Sequence, residues 1–225
     1  IYRGDYNKFL KKNSIEEPVV LQVGGSDNEL LKFSTNLANK YGYQGVNLNV
    51  GCPSKKVSQG RMGACLMKEA DIVRDCVKTM ISESSSEVSV KCRIGVDEFE
   101  SYNFFKEFIS NVSDSGCNTF FVHARKAFLK GLDPKKNRTL PPLKYDYVYR
   151  LKREMPQLNI IINGGIQTLE ECHNQLKSVD GVMVGRSIQA NPFFLEEVDH
   201  QFYNQKMSSL EKNQLISKYI EYVKE

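Results

Sequence analysis

Six short runs of apolar and β-branched residues alternate with helical patterns along the chain, and this alternation restricts its fold more than any other feature of the sequence. The runs cover residues 19–23, 45–50, 88–94, 119–122, 159–162 and 181–184. Short runs of this kind are typical of buried strands. Apolar residues at helical spacing lie between them, and Ser26-Asp27-Asn28-Glu29 and Thr168-Leu169-Glu170-Glu171 have the form of capping boxes.

Repeated alternation of strands and helices predicts a parallel sheet covered by helices, which is either doubly wound or closed into a barrel. The glycine turns favour the barrel. Asn163-Gly164-Gly165 follows the fifth run and Gly185-Arg186 follows the sixth, and β/α barrels commonly hold a phosphate in the loops after strands seven and eight. The runs then correspond to strands three to eight of a (β/α)8 TIM barrel.

This count predicts how the chain is organised. Two barrel strands are expected to be missing before Ile1, so residues 1–200 are predicted to form most of a barrel. Residues 201–225 are predicted to begin a truncated helical domain, with an amphipathic helix from Ser208 to Glu225.

Composition narrows the class of protein. The six cysteines form no C-x-x-C pair and there are only three histidines, so zinc-type spacing is absent and no metal site is expected. No run approaches the roughly 18 apolar residues of a membrane span, and no signal-peptide pattern opens the chain. We therefore expect an intracellular protein, of the cytoplasm or an organelle, that makes no membrane contact.

Basic residues are concentrated in two loops. Residues 126–146 contain six basic residues against two acids, a surplus equal to the net charge of +4 for the whole chain. Lys55, Lys56 and Arg61 form a second group without acids. Such groups are found both on ordinary solvated loops and on nucleic-acid-binding surfaces, and composition leaves both interpretations open.

Polar side chains lie where the first two runs end, which in a β/α barrel is the edge that holds the active site. Gln22 could either bind a ligand or bond to backbone at the strand end. Asn47 and Asn49 alternate onto one face, and buried amides need polar partners. Cys52 follows in a Gly-Cys-Pro turn, where a thiol can act as a proton donor or nucleophile, although free cysteines are often inert core residues.

The third and fourth runs add charged and titratable groups. Lys91 and Arg93 lie in an otherwise apolar strand, and buried charges need partners. An anionic ligand is the simplest partner for Lys91, and a salt bridge to a neighbouring strand is the alternative. His123 and Arg125 end the fourth run, just before the basic loop.

Together these residues resemble the tRNA-dihydrouridine synthase family. The resemblance covers nearly the whole chain in order, and the segment at His123 with its downstream Asn-Arg and Pro-Pro-Leu looks like the A-type branch, which modifies D-loop uridines near position 20. The matching segments are Gln22-Val23-Gly24-Gly25, Leu48-Asn49-Val50-Gly51-Cys52-Pro53-Ser54, Val90-Lys91-Cys92-Arg93-Ile94-Gly95, His123-Ala124-Arg125-Lys126-Ala127, Pro134-Lys135-Lys136-Asn137-Arg138, Leu140-Pro141-Pro142-Leu143, Ile162-Asn163-Gly164-Gly165-Ile166 and Val182-Met183-Val184-Gly185-Arg186.

The resemblance implies roles for these residues. Cys52 would be the general acid, donating a proton to C5 of uracil while hydride reaches C6 from flavin mononucleotide (FMN) that NADPH has reduced. Asn49 would read the uracil edge, and Lys135, Arg138 and Arg125 would contact tRNA. The FMN-binding residues would be Gln22, Lys91, His123, Asn163, Gly164, Gly165, Gly185 and Arg186.

Three other functions stay open on the sequence. A flavin-dependent dihydroorotate or dihydropyrimidine dehydrogenase shares a similar turn and chemistry but gives no reason for the basic loop. A redox-inactive tRNA-binding module is a second alternative. An aldolase or isomerase is the third, and it would need a Schiff-base lysine or a paired acid and base, for which Lys91 is the candidate.

Overall fold

The computed structural model describes residues 5–207 and 210–224, and its central feature is a six-stranded parallel sheet. The strands are β1 (Val20–Val23), β2 (Gly45–Val50), β3 (Glu87–Arg93), β4 (Thr119–His123), β5 (Asn159–Asn163) and β6 (Gly181–Met183). Each predicted run is a strand, with bounds that differ by one residue at most. The strands are arranged in chain order, so every strand pairs with its predecessor, as in a β/α barrel.

Helices connect the strands and cover one face of the sheet. They are α1 (Tyr6–Leu10), α2 (Asn28–Lys40), α3 (Lys55–Gln59), α4 (Ala70–Glu83), α5 (Tyr102–Ser113), α6 (Tyr145–Glu154), α7 (Leu169–Leu176), α8 (Arg186–Ala190), α9 (Phe194–Tyr203) and α10 (Lys212–Lys224). Short 3₁₀ helices span Ser14–Glu16, Gly63–Lys68 and Lys136–Arg138.

The two faces of the sheet differ in chemistry because alternate side chains of a strand point to opposite sides. The helix-covered face is apolar: Leu48, Val90, Phe120 and Ile160 form one fully buried row across four strands. Helices α2, α4 and α5 pack their apolar sides against it. The opposite face, which we call the inner face, contains every strand residue that the sequence singled out for chemistry.

Register brings those inner-face residues side by side. Gln22 is paired with Asn47, and Asn49 with Lys91. One row further toward the carboxyl edge, Arg93 is paired with His123 and His123 with Asn163. The parallel sheet therefore makes neighbours of residues that lie 25 to 42 positions apart in sequence.

Two local predictions need correction. The capping box predicted at Ser26 is wrong: Asp27 is the N-cap of α2, and its carboxylate accepts from Leu30 N at 2.9 Å. Both Ser and Asp are good N-caps, and choosing Asp27 moves Glu29 one place too early to close the box. The box at Thr168 is confirmed, with Glu171 bonded back to the Thr168 backbone.

The segment that follows Cys52 also differs from the sequence interpretation. The second basic group was expected in a loop, whereas Lys55 and Lys56 lie in helix α3. A 3₁₀ helix comes next, and the long helix α4 starts at Ala70. At the other end, α10 spans Lys212–Lys224, while Ser208 and Glu225 of the predicted helix lie outside the described residues.

Candidate functional site

The turn after β2 holds Cys52 by its main chain. The side-chain oxygen of Asn49 accepts hydrogen bonds from Gly51 N at 3.0 Å and Cys52 N at 3.1 Å. Ala64 N donates to the Cys52 carbonyl at 2.8 Å. A Cβ on Gly63 would lie 2.4 Å from that carbonyl, so glycine is needed for this approach. The half-buried thiol therefore projects from a turn whose backbone is fixed from both sides.

Amide side chains connect this turn to β1 and β3. Gln22 Nε2 donates to Asn47 Oδ1 at 2.8 Å, and Asn49 Nδ2 donates to Gln22 Oε1 at 2.9 Å. Asn47 Nδ2 continues the network to Ser89 Oγ at 3.0 Å. Gln22 thus bonds side chains rather than backbone. Asn49, predicted to read uracil, uses its oxygen to hold the turn and its nitrogen to bond Gln22.

A cavity of about 610 Å³ opens at the carboxyl edge of the sheet, within the roughly 300–1,000 Å³ range of small-molecule sites. Among the described residues, three cationic side chains line it and no carboxylate does. Its lining residues are Lys91, His123, Arg138, Asn163, Gly164, Gly165, Ile166, Gln167, Met183, Val184, Gly185, Arg186, Ser187, Gln189 and Ala190. The balance of charge suits an anionic ligand.

Lys91 is a cation without an acidic partner. No ion pair among residues 5–207 and 210–224 involves it, which removes the salt-bridge alternative for the described part of the chain. Burial, and then the neighbouring Arg93, hold the pKa of Lys91 below its ordinary value of 10.5. An anion in the cavity would favour the charged form of Lys91 and so raise this pKa again.

His123 is a neutral polar group of the cavity. It is 7% exposed, and burial lowers its pKa to about 2, with further contributions from Arg93 and Lys91. Its imidazole is therefore uncharged at neutral pH and offers one N–H donor and one acceptor nitrogen. This combination suits hydrogen bonding to a heterocyclic ring rather than charge pairing.

The Gly164-Gly165 turn makes the wall beside His123. Gly164 has φ +115°, and a Cβ there would lie 2.5 Å from Cδ2 of His123. A Cβ on Gly165 would lie 2.7 Å from Leu143. Asn163 fixes the start of the turn by donating to the Met183 carbonyl at 2.8 Å. Only glycine allows this close approach of main chain to the cavity.

The basic loop of residues 126–138 is folded around a buried asparagine. Asn137 is 0% exposed, accepts from Phe128 N at 2.7 Å and donates to the carbonyl of Phe128 at 2.9 Å. Its side chain also donates to the carbonyls of Leu132 and Asp133. The loop is therefore an ordered structure.

The three residues predicted to contact RNA differ in their exposure and in their contacts. Lys135 is exposed. Arg138 lines the cavity, and its carbonyl accepts from Arg186 at 3.4 Å. Arg125 is half-buried and donates to the Pro141 carbonyl, while its Nε has no hydrogen-bond partner among the described residues. Arg138 is exposed as well, so both Lys135 and Arg138 are accessible to a large ligand, whereas Arg125 is less so.

The structure thus brings together seven of the eight residues predicted to bind a cofactor. Gln22 is the exception, since it lies in the amide network below the cavity. Sequence reasoning gave no role to Asn137 and none to Arg93, whose guanidinium contacts the thiol turn and the basic loop. The one available signal was a charge inside an apolar strand, which requires partners.

Comparison with known proteins decides the family. The sequence profile of the family described as Dihydrouridine synthase (Dus) matches residues 3–225. The chain belongs to the dihydrouridine synthase family. Its relatives include a tRNA-dihydrouridine(20/20a) synthase of Pasteurella multocida, 46% identical over 96% of this chain and 66% of the relative. Another is that of Yersinia pestis, 50% identical over 87% of this chain and 57% of the relative.

The chain therefore spans less than two thirds of the length of both relatives. Among solved structures, an old yellow enzyme homologue from Zymomonas mobilis aligns with a TM-score of 0.55 at 15% identity, covering 80% of this chain and 52% of that one. This likeness confirms the predicted fold class, a β/α barrel represented here by six strands in barrel order.

No helix among the described residues is long and apolar enough to cross a membrane. Within the same residues no cluster of His, Cys, Asp or Glu could hold a metal ion.

Proposed function

We propose that this chain is the catalytic part of a tRNA-dihydrouridine synthase that binds FMN, uses NADPH as reductant and reduces the C5–C6 bond of D-loop uridines 20 and 20a in tRNA. The observation that carries the proposal is the cationic cavity lined by Lys91, His123 and Arg186, to which no carboxylate of the described residues contributes. Family membership and relatives bearing the name tRNA-dihydrouridine(20/20a) synthase support it.

The residues of the cavity fit FMN. Arg186 and the main-chain N–H groups beside Gly164, Gly165 and Gly185 suit a dianionic phosphate, since the glycines keep side chains out of the way. Lys91 suits the flavin edge that carries negative charge on reduction. When bound, the flavin supplies the hydride that reaches C6 of uracil.

The chain's own residues then bind the base and supply the proton. Neutral His123 hydrogen-bonds the flavin ring, and Asn163 holds the glycine turn that forms the wall of the cavity. Cys52 donates its proton to C5 of uracil from a turn that Asn49 keeps fixed. The uridine leaves its stack to reach this pocket, and Lys135, Arg138 and Arg125 contact tRNA near it.

The proposal extends to the setting of the protein. Its partner is tRNA, so we place it inside the cell, in the cytoplasm or an organelle. Residues 1–200 form most of the flavin-binding barrel, and residues 201–225 begin a helical domain that contacts tRNA. The amphipathic α10, with exposed Ile216, Tyr219 and Ile220, supports that division.

One experiment tests the proposal on the protein in its full natural length. The visible spectrum of the purified protein is recorded, and NADPH-dependent dihydrouridine formation is measured in unmodified tRNA with wild type and Cys52→Ala. A yellow protein that forms dihydrouridine, and a variant that keeps flavin but loses most turnover, are expected. A colourless protein that still binds tRNA would instead indicate an RNA-binding module, and turnover of free dihydroorotate or dihydropyrimidine would indicate the dehydrogenase.

A further inference from the structure

Arg93 is a buried cation whose partners are all main-chain carbonyls. It is 3% exposed, and burial lowers its pKa to about 10, so it stays charged at neutral pH. Nε donates to the Gly51 carbonyl at 2.8 Å, and Nη1 donates to those of Lys126 at 3.1 Å and Asn137 at 3.0 Å. No ion pair within the described ranges includes Arg93.

Its acceptors belong to two separate loops. Gly51 immediately precedes Cys52, whereas Lys126 and Asn137 are the two ends of the segment that folds around the Asn137 side chain. A guanidinium has its donors in a rigid plane, so bonds made by both sides of the fork fix the distance between the loops. A lysine ammonium has one nitrogen on a flexible stem and cannot do this.

The basic loop is stiff enough for that connection to matter. Besides the bonds of Asn137, Asp97 Oδ1 accepts from Leu129 N at 2.8 Å, and Ala127 N donates to the Gly95 carbonyl at 2.9 Å. At its far end the Arg138 carbonyl accepts from Arg186 of the cavity. The loop therefore lies between the thiol turn and the cationic end of the cavity.

We infer that Arg93 is a positioning residue, which holds the Cys52 turn and the basic loop at a fixed separation so that RNA bound by the loop presents its base to the thiol. The inference rests on the proposed function and goes beyond it, because Arg93 is buried and does not itself line the cavity. It acts through Gly51 and Asn137.

The first test measures two half-reactions separately in the full-length protein: reduction of flavin by NADPH, and reduction of tRNA by the reduced flavin. Arg93→Lys is compared with wild type and with Arg74→Gln, an exposed α4 arginine paired with Asp71 and Asp75. Flavin content and flavin reduction by NADPH should match wild type. Single-turnover reduction of saturating tRNA should fall on the order of a hundredfold, the effect of misplacing a reacting group by about 1 Å. A wild-type rate with tRNA would overturn the inference, as would parallel loss of both half-reactions.

A second test remains informative if Arg93→Lys folds poorly. Asn137→Ser loosens the loop without changing Arg93, and Lys136→Ala is the matched control, since that neighbour is exposed. Iodoacetamide labelling of each cysteine is followed by mass spectrometry in the absence of RNA. Cys52 should label several-fold faster in Asn137→Ser alone. Cys65, half-buried in the 3₁₀ helix Gly63–Lys68, serves as the local reference.

The four buried cysteines report on the fold in the same samples. Faster labelling of all six would show that the variant merely destabilises the protein, and unchanged labelling of Cys52 would show that the loops are independent. Either result would overturn the inference. If wild-type protein contains no flavin and forms no dihydrouridine, the proposed function is refuted instead. The labelling of Cys52 would still test whether the basic loop holds the Cys52 turn.

Discussion

The side-chain oxygen of Asn49 lies 3.1 Å from the backbone nitrogen of Cys52 and accepts its hydrogen bond. The same oxygen accepts from Gly51 N, so one amide side chain satisfies two backbone donors beside the thiol. The Asn49 side chain is therefore already committed to the turn before any base arrives.

Replacing Asn49 should accordingly damage the turn as well as activity. Asn49→Ala leaves two N–H groups without an acceptor, and we expect the free energy of unfolding to fall by about 1–3 kcal/mol, the cost of an unsatisfied buried donor. Asn49→Asp keeps the acceptor and should lose less. Urea unfolding of both variants, with the exposed Asn174→Ala as control, makes the comparison. Equal loss in the Ala and Asp variants would contradict this role.

Gly164→Ala should destabilise the protein and eliminate flavin binding. The new Cβ would sit 2.5 Å from His123 in a backbone with φ +115°. Gly42→Ala is the matched control, because Gly42 has φ +68° and no atom within 4 Å of an added Cβ. The control should show only backbone strain, roughly 1–2 kcal/mol. We expect Gly164→Ala to lower the unfolding temperature more than Gly42→Ala does. Equal losses would argue against the close contact with His123.

The histidine of the cavity should make the ligand-free protein sensitive to acid. The pKa of His123 is lowered from 6.5 to about 2, so between these values the unfolded chain binds a proton that the folded chain does not. The free energy of unfolding then decreases as the pH falls below 6.5, by up to about 1.4 kcal/mol per pH unit. His123→Gln should reduce this slope in urea unfolding between about pH 6 and 4. An unchanged slope would show that other groups dominate.

Lys135 and Arg138 should affect different ligands. Lys135 is exposed, so Lys135→Ala should weaken tRNA binding alone and reduce the slope of log affinity against log salt by about 1. Arg138 lines the cavity, so Arg138→Ala should weaken flavin binding as well. Filter binding of tRNA and flavin fluorescence measure the two affinities. If both variants lose only tRNA affinity, Arg138 has no part in the cavity.

The sequence predicted the strands well because each is an apolar run between turn signals, and residues 45–50 became β2 without change. The inner face was also predictable, since period-two alternation places Asn47 and Asn49 together. The start of α2 was missed by one residue because Ser26 and Asp27 compete for the same N-cap position.

The contacts of Arg93 and Asn137 could not be read from the sequence. Their partners are backbone carbonyls and amides of loops, and any residue type supplies those groups. Which carbonyl turns toward Arg93 depends on how the segments around Gly51 and Asn137 fold after the sheet has formed. Composition and periodicity therefore do not predict which carbonyls accept hydrogen bonds from Arg93.

The separation between the apolar helix-covered face and the polar inner face has a consequence for how this protein can change in evolution. Leu48, Val90 and Phe120 tolerate only replacements of similar volume. Inner-face and loop residues lie outside that layer, so a lineage can exchange them, and with them the ligand that the cavity binds, without refolding the sheet. Within each strand, the residues of one face therefore maintain the fold, while the alternate residues on the other face can change the specificity.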